Sequence, residues 1–354
     1  MEKNISVIYG DGIGPEIMKE TIKILNSITK KYGHNFYYHY LLAGIEAIKM
    51  TGNPIPEKTL QICSKSDAIL LGCIGDPAYK CKSGYKKITP EDGLLQLRKK
   101  MKLYCNIRPV IFYPDIHRSP INRELLKNVN FVIYRELTGG IYFGEKGRNE
   151  SGELAYDNCI YSKNEIERIG NLAFKASISR RKKLTLVDKS NVLETSKLWR
   201  EVIIKIGLSY PEVKLDFLYI DNAAMQIILN PSRFDVILTD NMFGDILSDE
   251  SSVICGSIGM LPSSSIGGKT PLFEPVHGSY PKAKGKNIAN PLGCILSGSM
   301  MLEYFGMHKE KCLLEEAVKK SIENGVFTED ICYNTNPSTT EDVGNYIKKY
   351  IDNQ

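Results

Sequence analysis

Two aspartates stand four residues apart in the segment 241–250, whose sequence is NMFGDILSDE. The segment follows an apolar run at 234–239, which predicts a buried strand. On a helix, Asp245 and Asp249 would project from one face, and two carboxylates that close repel each other unless a cation lies between them. Oxygen ligands of this kind suit Mg²⁺ or Mn²⁺. The alternative is a solvated helix face that carries two acids, which is a common surface pattern.

Asp221 is the candidate for a third ligand. It ends an apolar run at 215–221, which predicts another strand. The position also suits the N-cap of a following helix, and capping explains the residue without any metal. Beside Asp245 and Asp249, its carboxylate would complete a site for a divalent cation.

Three arginines lie at the ends of predicted elements: Arg98, Arg108 and Arg135. A guanidinium group binds a carboxylate through two parallel hydrogen bonds, so three of them suit a dicarboxylate ligand. A single arginine of this kind would more often form a surface ion pair.

A predicted helix at 91–98 places Leu94 and Leu95 beside Arg98. This face would suit a ligand with a carboxylate at one end and a branched alkyl group at the other. The alternative is a core helix whose arginine extends to solvent.

Lys189 lies in the run LTLVDKSNVL at 184–193, which predicts a strand that ends at Asp188 and Lys189. Partial burial favours the neutral amine, which can act as a base. A purely structural lysine is the alternative.

Glycine-containing loops complete the set of candidates. The sequence GDGIGPE at 10–16 follows a strand, but its glycine spacing and Pro15 fit a tight strand-to-helix turn better than a dinucleotide fingerprint. Loops at 273–279 and 285–291 suit the adenosine of a cofactor, although His277 would by default be a surface histidine. The long loop at 74–90 is of a length that is usually functional or disordered.

The composition is that of a soluble globular protein of one large or two medium domains, with 354 residues and 42% hydrophobic content. The formal net charge of +5 is too small to indicate nucleic-acid binding. Nine cysteines without a CxxC pair predict free thiols in a reducing compartment. The start of the chain does not resemble a signal peptide, and no apolar run reaches the length of a membrane span, so we expect a cytoplasmic protein without a membrane partner.

Six motifs, in this order, closely resemble the isocitrate/isopropylmalate dehydrogenase family of decarboxylating β-hydroxyacid dehydrogenases. They are GDGIGPE (10–16), RELTGGIYFG (135–144), DKSNVL (188–193), NMFGDILSDE (241–250), EPVHGS (274–279) and GKNIANP (285–291). The resemblance implies a two-domain α/β fold, unlike the Rossmann fold, with a large mixed sheet flanked by helices. A first, cofactor-side domain would comprise 1–102 and 256–354. A second domain for dimerisation and metal binding would comprise 103–255, with an arm at about 145–161 that pairs with a partner subunit.

The resemblance also implies roles for the candidate residues. Lys189 would take the substrate hydroxyl proton as general base, and Tyr142 would protonate the enol as general acid. Mg²⁺ or Mn²⁺ would lower the pKa of the hydroxyl and stabilise the enolate, held by Asp221, Asp245 and Asp249. The substrate-binding residues would be Arg98, Arg108, Arg135, Asp221, Leu94, Leu95 and Val192. In the family, the equivalents of Lys189 and Asp221 reach into the neighbouring subunit's site, so we expect a homodimer with shared active sites.

The implied cofactor is NAD, bound by Glu91, Gly75, His277, Gly278, Ser279, Lys282, Gly285, Asn287 and Asn290. Many NAD-dependent relatives carry an aspartate where this chain has Lys282, and a lysine would rather meet a 2′-phosphate. NADP-dependent relatives pair such a lysine with a following tyrosine, but Ala283 follows here. We therefore keep NAD as the prediction.

Leu94, Leu95 and Val192 favour 3-isopropylmalate over isocitrate as the substrate. Burying three extra apolar carbons contributes about 2–3 kcal/mol, whereas burying a carboxylate against leucines would cost more. The expected reaction is oxidative decarboxylation in leucine biosynthesis. The alternatives are a related enzyme acting on homoisocitrate, tartrate, malate or isocitrate, and a non-catalytic regulatory subunit, which the intact set of candidate residues disfavours.

Overall fold

The computed structural model describes residues 1–79, 88–116, 118–331 and 336–354. The chain divides into two compact units, the first formed by Met1–Leu103, Tyr113–Pro120 and Cys255–Gln354, the second by Tyr104–Phe112 and Ile121–Ile254. The short segment Tyr113–Pro120 thus belongs to the first unit, whereas the sequence interpretation had assigned it to the second domain. Residues 80–87 of the predicted loop 74–90 lie outside the described residues.

The strands and helices of the described residues are numbered in chain order. The strands are β1 (Glu2–Gly10), β2 (Asn35–Leu41), β3 (Ala68–Cys73), β4 (Cys105–Ile111), β5 (Asn130–Glu136), β6 (Lys146–Arg148), β7 (Ala155–Asp157), β8 (Lys183–Asp188), β9 (Lys214–Tyr219), β10 (Val236–Thr239), β11 (Pro262–Ile266) and β12 (Leu272–Pro275). The α-helices are α1 (Gly14–Tyr32), α2 (Ile45–Thr51), α3 (Glu57–Cys63), α4 (Glu91–Lys100), α5 (Arg123–Leu126), α6 (Lys163–Ile178), α7 (Glu194–Gly207), α8 (Ile220–Leu229), α9 (Asn241–Ser251), α10 (Leu292–Tyr304), α11 (His308–Glu323) and α12 (Thr340–Asn353).

The first unit contains the strand order β2-β1-β3-β12-β11. Strands β2, β1, β3 and β12 are parallel, and β11 is antiparallel to β12. Every residue of β3 is buried, as its continuous apolar sequence AILLGC predicts for a parallel strand covered on both faces. Helix α10 is also buried over most of its length, so it belongs to the core of this unit.

The second unit contains the strand order β4-β5-β10-β8-β9. Strand β4 is antiparallel to β5, and the remaining neighbours are parallel. Both units therefore combine parallel and antiparallel strands with helices, which confirms the mixed α/β fold expected from the resemblance. Strands β6 and β7 form a separate antiparallel pair within the predicted arm.

One of two predicted strands ends where the sequence indicated, and the other ends two residues earlier. Strand β8 stops at Asp188, because the backbone amides of Val192 and Leu193 turn back to the carbonyl of Lys189. Strand β9 stops at Tyr219, which occupies the N-cap position of α8. The interpretation of Asp221 as the N-cap of α8 is therefore wrong. Asp221 lies in the first turn of α8, where a negative charge is favourable.

The GDGIGPE motif forms the tight turn between β1 and α1. Gly12 has a φ of +57°, and a Cβ added there would lie 1.9 Å from the carbonyl oxygen of Ser279. The Asp11 carboxylate accepts hydrogen bonds from the backbone amides of Ile45 at 2.9 Å and Gly75 at 3.0 Å. The motif therefore joins three loops of the first unit, which accounts for its glycines without a bound phosphate. No helix within the described ranges is long and apolar enough to span a membrane.

Candidate active site

The first group of predicted site residues lies where β5 and β10 end side by side in the second unit. Thr239 of β10 is paired with Arg135 of β5, and α9 begins two residues after Thr239. This arrangement brings Arg135 to Asp245, to which its Nη1 donates a hydrogen bond. Arg108 Nη1 from β4 lies 3.6 Å from Asp245 Oδ1 and 3.7 Å from Asp249 Oδ1. The two arginines and two aspartates thus form one charged cluster.

Neutral polar groups hold both arginines in place. Asn106 Oδ1 accepts a hydrogen bond from Arg108 Nε at 2.5 Å, and Ser248 Oγ accepts one from Arg108 Nη1. Asn241 Oδ1 accepts hydrogen bonds from Arg135 Nε at 3.1 Å and Nη2 at 2.8 Å. These supporting residues were not predicted from the sequence. Asn241 and Ser248 belong to the same motif as the aspartates, which was the only available signal.

The two aspartates of α9 have a setting that fits a cation. Burial raises the pKa of Asp249, and the nearby Asp245 raises it further, while Arg108 opposes the shift. Because 60% of the Asp249 side chain remains exposed, solvent screens this effect. A carboxylate whose pKa is raised by its surroundings gains from a divalent cation, so Asp249, with Asp245 on the same helix face, fits the predicted Mg²⁺ or Mn²⁺.

Tyr142 follows β5 and belongs to the same cluster. Its hydroxyl donates to Asp245 Oδ2 at 3.2 Å, and its ring centroid lies 5.9 Å from Arg135 Cζ. Burial and the charge of Asp245 raise the pKa of Tyr142, and Arg135 acts against them. The hydroxyl therefore keeps its proton at neutral pH, as a general acid must.

Lys189 and Asp221 form a second group in the same unit. Lys189 Nζ lies 2.8 Å from Asp221 Oδ2, because the adjacent ends of β8 and β9 place the two residues side by side. The hydrogen bond from Lys189 lowers the pKa of Asp221. The side chain of Asp221 is 67% exposed. Val192, which follows Lys189 in the sequence, is 65% exposed. Within the described part of the chain, no group of three acidic, histidine or cysteine side chains could hold a metal, so a single chain does not assemble the three predicted ligands.

Arg98 lies in the first unit on α4. Its Nη2 donates to Glu274 Oε1 at 2.9 Å, and its Nε is buried without a hydrogen-bond partner among the described residues. The alternative of an arginine that extends to solvent is therefore wrong. On the same helix, Leu94 packs against the core of this unit, whereas Leu95 is 37% exposed and remains accessible to a ligand.

Three of the predicted cofactor residues come together beside the β1–α1 turn. Ser279 Oγ donates to the carbonyl of Gly75, and the Ser279 carbonyl accepts from the backbone amide of Ile13 at 2.8 Å. Glu91 lies against Gly75, since a Cβ added there would lie 2.4 Å from Glu91 Oε1. Gly75, Glu91 and Ser279 therefore lie close together in the first unit.

His277 is buried, with 9% of its surface exposed, so the default expectation of a surface histidine is wrong. Its Nδ1 lies 2.9 Å from the carbonyl oxygen of Gly278, and its Nε2 is buried without a partner in the part of the chain that the structure describes. Burial lowers the pKa of His277 and keeps its imidazole neutral. A buried ring nitrogen of this kind fits a polar ligand such as a cofactor base.

The remaining predicted cofactor residues lie on loops held by Glu16 and Asp330. The Glu16 carboxylate accepts hydrogen bonds from the backbone amides of Gly285 and, at 3.1 Å, Asn287. Asn290 Nδ2 donates to Asp330 Oδ2 at 3.0 Å. Lys282 is exposed within the 3₁₀ turn Pro281–Ala283.

The mixed α/β fold, together with this cluster of arginines and aspartates and Tyr142 beside it, is that of an enzyme. The chain belongs to the isocitrate/isopropylmalate dehydrogenase family, a family of oxidoreductases, and matches the family model over residues 4–347.

Curated relatives match almost the whole chain. A 3-isopropylmalate dehydrogenase of Bacteroides fragilis is 46% identical over 353 residues, covering 99% of both chains. One from Carboxydothermus hydrogenoformans is 48% identical, covering 98% of this chain and 94% of the relative. Among solved structures, the crystal structure of isocitrate dehydrogenase from Methylococcus capsulatus is 33% identical, with a TM-score of 0.89 and 99% of both chains covered. A β-decarboxylating dehydrogenase from Thermococcus kodakarensis is 34% identical, with a TM-score of 0.81, covering 99% of this chain and 96% of that one.

Proposed function

We propose that the protein catalyses the oxidative decarboxylation of (2R,3S)-3-isopropylmalate to 4-methyl-2-oxopentanoate and CO₂, with NAD as the oxidant, in leucine biosynthesis. The observation that carries this proposal is the cluster around Asp245, which is contacted by Arg135 and Tyr142 and lies 3.6 Å from Arg108. Relatives named 3-isopropylmalate dehydrogenase, at 44–48% identity, support the choice of substrate.

The arginines suit the two carboxylates of this substrate. Arg108 and Arg135 are 6% and 4% exposed, so their charges are largely desolvated and bind an anion more strongly than surface groups would. Arg98 is the third carboxylate-binding residue, and the exposed Leu95 beside it on α4 would contact the isopropyl group. An aliphatic contact of this kind disfavours isocitrate, whose third carboxylate would lose its hydration there.

The proposal assigns the proton transfers to two side chains. Lys189 removes the proton from the substrate hydroxyl as hydride leaves for the nicotinamide. Tyr142 returns a proton to the enol that remains after CO₂ departs. Mg²⁺ or Mn²⁺, when bound by Asp221, Asp245 and Asp249, supplies a positive charge that favours the alkoxide and the enolate.

The exposed surface of α8 supports a homodimer whose subunits share their sites. Asp221, Met225 and Leu229 are spaced by four residues, so they lie on one face of α8. Met225 and Leu229 are 51% and 55% exposed, and Ile246 on α9 is 54% exposed. A partner subunit that covers these apolar side chains would also receive Lys189 and Asp221 in its own site. In the arm 145–161, the exposed Leu154 is a further contact for the partner.

Binding of NAD is supported by two polar features of the first unit. The Nε2 atom of His277 is buried and has no hydrogen-bond partner among the described residues. Ser279 donates a hydrogen bond to Gly75, which lies close to Glu91. Lys282 is exposed and carries the charge that would attract a 2′-phosphate, so comparing NAD with NADP is the sharpest test of the cofactor.

The test is a nicotinamide absorbance assay of the purified protein with Mg²⁺ or Mn²⁺. We expect the highest kcat/KM with 3-isopropylmalate and NAD, and loss of activity in excess chelator that added metal restores. The panel includes isocitrate, homoisocitrate, tartrate and malate, each with NAD and with NADP. A higher kcat/KM for isocitrate than for 3-isopropylmalate would overturn the substrate proposal, and turnover that persists in excess chelator would overturn the metal.

A further inference from the structure

Asn241 connects Arg135 to the turn that carries Tyr142. It is the first residue of α9, and 1% of its surface is exposed. Its Oδ1 accepts from Arg135 Nε and Nη2, and its Nδ2 donates to the carbonyl of Gly139 at 3.3 Å. The side chain therefore occupies one complete edge of the guanidinium and fixes the direction of Nη1, which faces Asp245.

The partner that orients Asn241 is the hydroxyl of Tyr161. The backbone amide of Asn241 donates to Tyr161 Oη at 2.9 Å, and the tyrosine is 6% exposed. The ring packs edge-on against Trp199, with centroids 5.4 Å apart. Its other side lies against the glycine pair before Tyr142, since a Cβ at Gly140 would lie 2.3 Å from Tyr161 Oη.

The chemistry of these two residues suits positioning. Asn241 carries no charge, so it orients the Arg135 guanidinium without adding a second anion to the one that Asp245 already supplies. An aspartate at this position would form an ion pair and compete with the substrate. Glu136, the next residue along β5, does not take this role, because its carboxylate accepts hydrogen bonds from Thr138 and Gly139.

We propose that Asn241 and Tyr161 form a positioning pair that holds the Arg135 guanidinium for the substrate carboxylate and ties it to the turn bearing Tyr142. The use of this arginine by substrate rests on the proposed function. The orientation of its guanidinium does not, and it can be measured without substrate.

The kinetic test uses Tyr161→Phe, Asn241→Ala and Asn241→Asp in the full-length enzyme. Asn241→Ala removes two hydrogen bonds to a charged group, so we expect the KM for 3-isopropylmalate to rise about 10- to 100-fold, with a smaller change in kcat. Tyr161→Phe removes one neutral hydrogen bond and keeps the ring packing, so a rise of about 3- to 10-fold is expected. Asn241→Asp keeps the acceptor but adds a charge, and should also raise KM. Tyr210→Phe is the matched control, because it removes a hydroxyl contact to Asn171 and should leave KM unchanged.

A double-mutant cycle separates positioning from general structural damage. If Asn241 acts through Arg135, adding Asn241→Ala to Arg135→Ala should change kcat/KM by less than about 2-fold. Additive losses would show that Asn241 acts independently of the arginine and would overturn the proposal.

The substrate-free test is the ¹⁵N-arginine spectrum, with the Arg135 Nε–H signal assigned by Arg135→Lys. We expect slow solvent exchange of this proton in the wild type and in Asn241→Asp, and at least about 10-fold faster exchange in Asn241→Ala, since a buried hydrogen bond protects the proton. Unchanged exchange in Asn241→Ala would overturn the positioning role. If the wild type failed to turn over 3-isopropylmalate, the proposed function would fail, and this spectrum would still decide the orientation of Arg135. Tyr161→Phe provides the same comparison if Asn241→Ala does not fold.

Discussion

Asp245 and Asp221 are both predicted ligands of one cation, yet they lie in opposite electrostatic settings within the second unit. Asp245 is contacted by Arg135 and Tyr142, and Arg108 lies between it and Asp249. Asp221 has one cationic partner, Lys189, and two-thirds of its side chain is open to solvent. The pKa of Asp249 is raised by burial, whereas the pKa of Asp221 is lowered by the lysine.

The difference indicates what each group lacks. The α9 cluster contains the arginines proposed to bind a dicarboxylate, and one of its acids, Asp249, has a raised pKa. The Lys189–Asp221 pair is stable as an exposed ion pair and stands at the start of an exposed apolar face on α8. In the proposed homodimer, a second chain would bury this pair against its own α9 cluster, and burial would strengthen the interactions of its charges.

The largest expected effect comes from removing the base. Lys189→Ala should lower kcat by about 10²- to 10⁴-fold, the usual contribution of general acid–base catalysis. Substrate affinity should change little, because the carboxylate-binding arginines are untouched. Steady-state kinetics combined with equilibrium binding of 3-isopropylmalate in the absence of NAD separates the two quantities.

Lys205 offers a matched control on α7, since Lys205→Ala removes a lysine that has no assigned role in the site. Turnover of Lys189→Ala within about 3-fold of the wild type would exclude this residue as the base.

The second prediction tests whether the two groups act across subunits. Arg135→Ala and Lys189→Ala should each be nearly inactive, because each variant removes one required side chain from both sites of the dimer. When the two variants are unfolded together and refolded as mixed dimers, roughly half of the dimers contain both chains, and one of their two sites has both native residues. We expect recovery of roughly one quarter of the wild-type activity, measured against the separately refolded variants.

If Lys189 acted within its own chain, neither site of a mixed dimer would be intact. Activity of the mixture no higher than that of the separate variants would then contradict the shared site. A mixture of Lys189→Ala with Asp221→Ala is the control, since both residues come from the same chain and the two-chain arrangement predicts no site with both groups restored by exchange.

The comparison also shows what the sequence could predict. The common face of Asp245 and Asp249 was visible, because a four-residue spacing on a helix has only one geometric meaning. The mixed α/β fold was expected from the family resemblance, and strands such as β3 and β10 were predictable because they are apolar runs.

The supporting residues were not predictable, because each depends on a contact between distant parts of the chain. Tyr161 and Asn241 are 80 residues apart, and Arg98 and Glu274 are 176 residues apart. The burial of His277 likewise depends on contacts between distant parts of the chain. The early end of β9 was missed because the sequence continues from this strand directly into α8. The predicted metal, cofactor and shared sites remain predictions that the experiments above address.

The smallest expected effect concerns the start of α9, where the two groups differ again. Asp240 caps α9 by accepting a hydrogen bond from the backbone amide of Phe243 at 2.8 Å, whereas Tyr219 at the start of α8 makes no side-chain capping bond within the described residues. Burial raises the pKa of Asp240 to about 7. The folded protein therefore keeps a proton on Asp240 that the unfolded chain releases at the ordinary aspartate pKa of about 4.

Between about pH 4 and pH 7, unfolding releases this proton, so the contribution of Asp240 to stability falls as the pH rises. The side-chain amide introduced by Asp240→Asn would keep the capping oxygen and remain neutral at every pH. We therefore expect Asp240→Asn to be more stable than the wild type above pH 7, by an amount on the order of 1–4 kcal/mol, and similar to it near pH 4.

Urea unfolding at pH 4, 5, 6, 7 and 8 measures this difference in the free energy of unfolding. Asp342→Asn is the control without a pH trend in this range, because hydrogen bonds from Thr339 lower the pKa of Asp342 in the capping box of α12. Its carboxylate stabilises the fold above its unfolded pKa of about 4, and that stability is lost only as the pH falls below this range through the folded pKa. If the free energies of unfolding of Asp240→Asn and the wild type changed with pH in parallel across this range, Asp240 would be ionised throughout. The start of α9 would then be as strongly solvated as the start of α8.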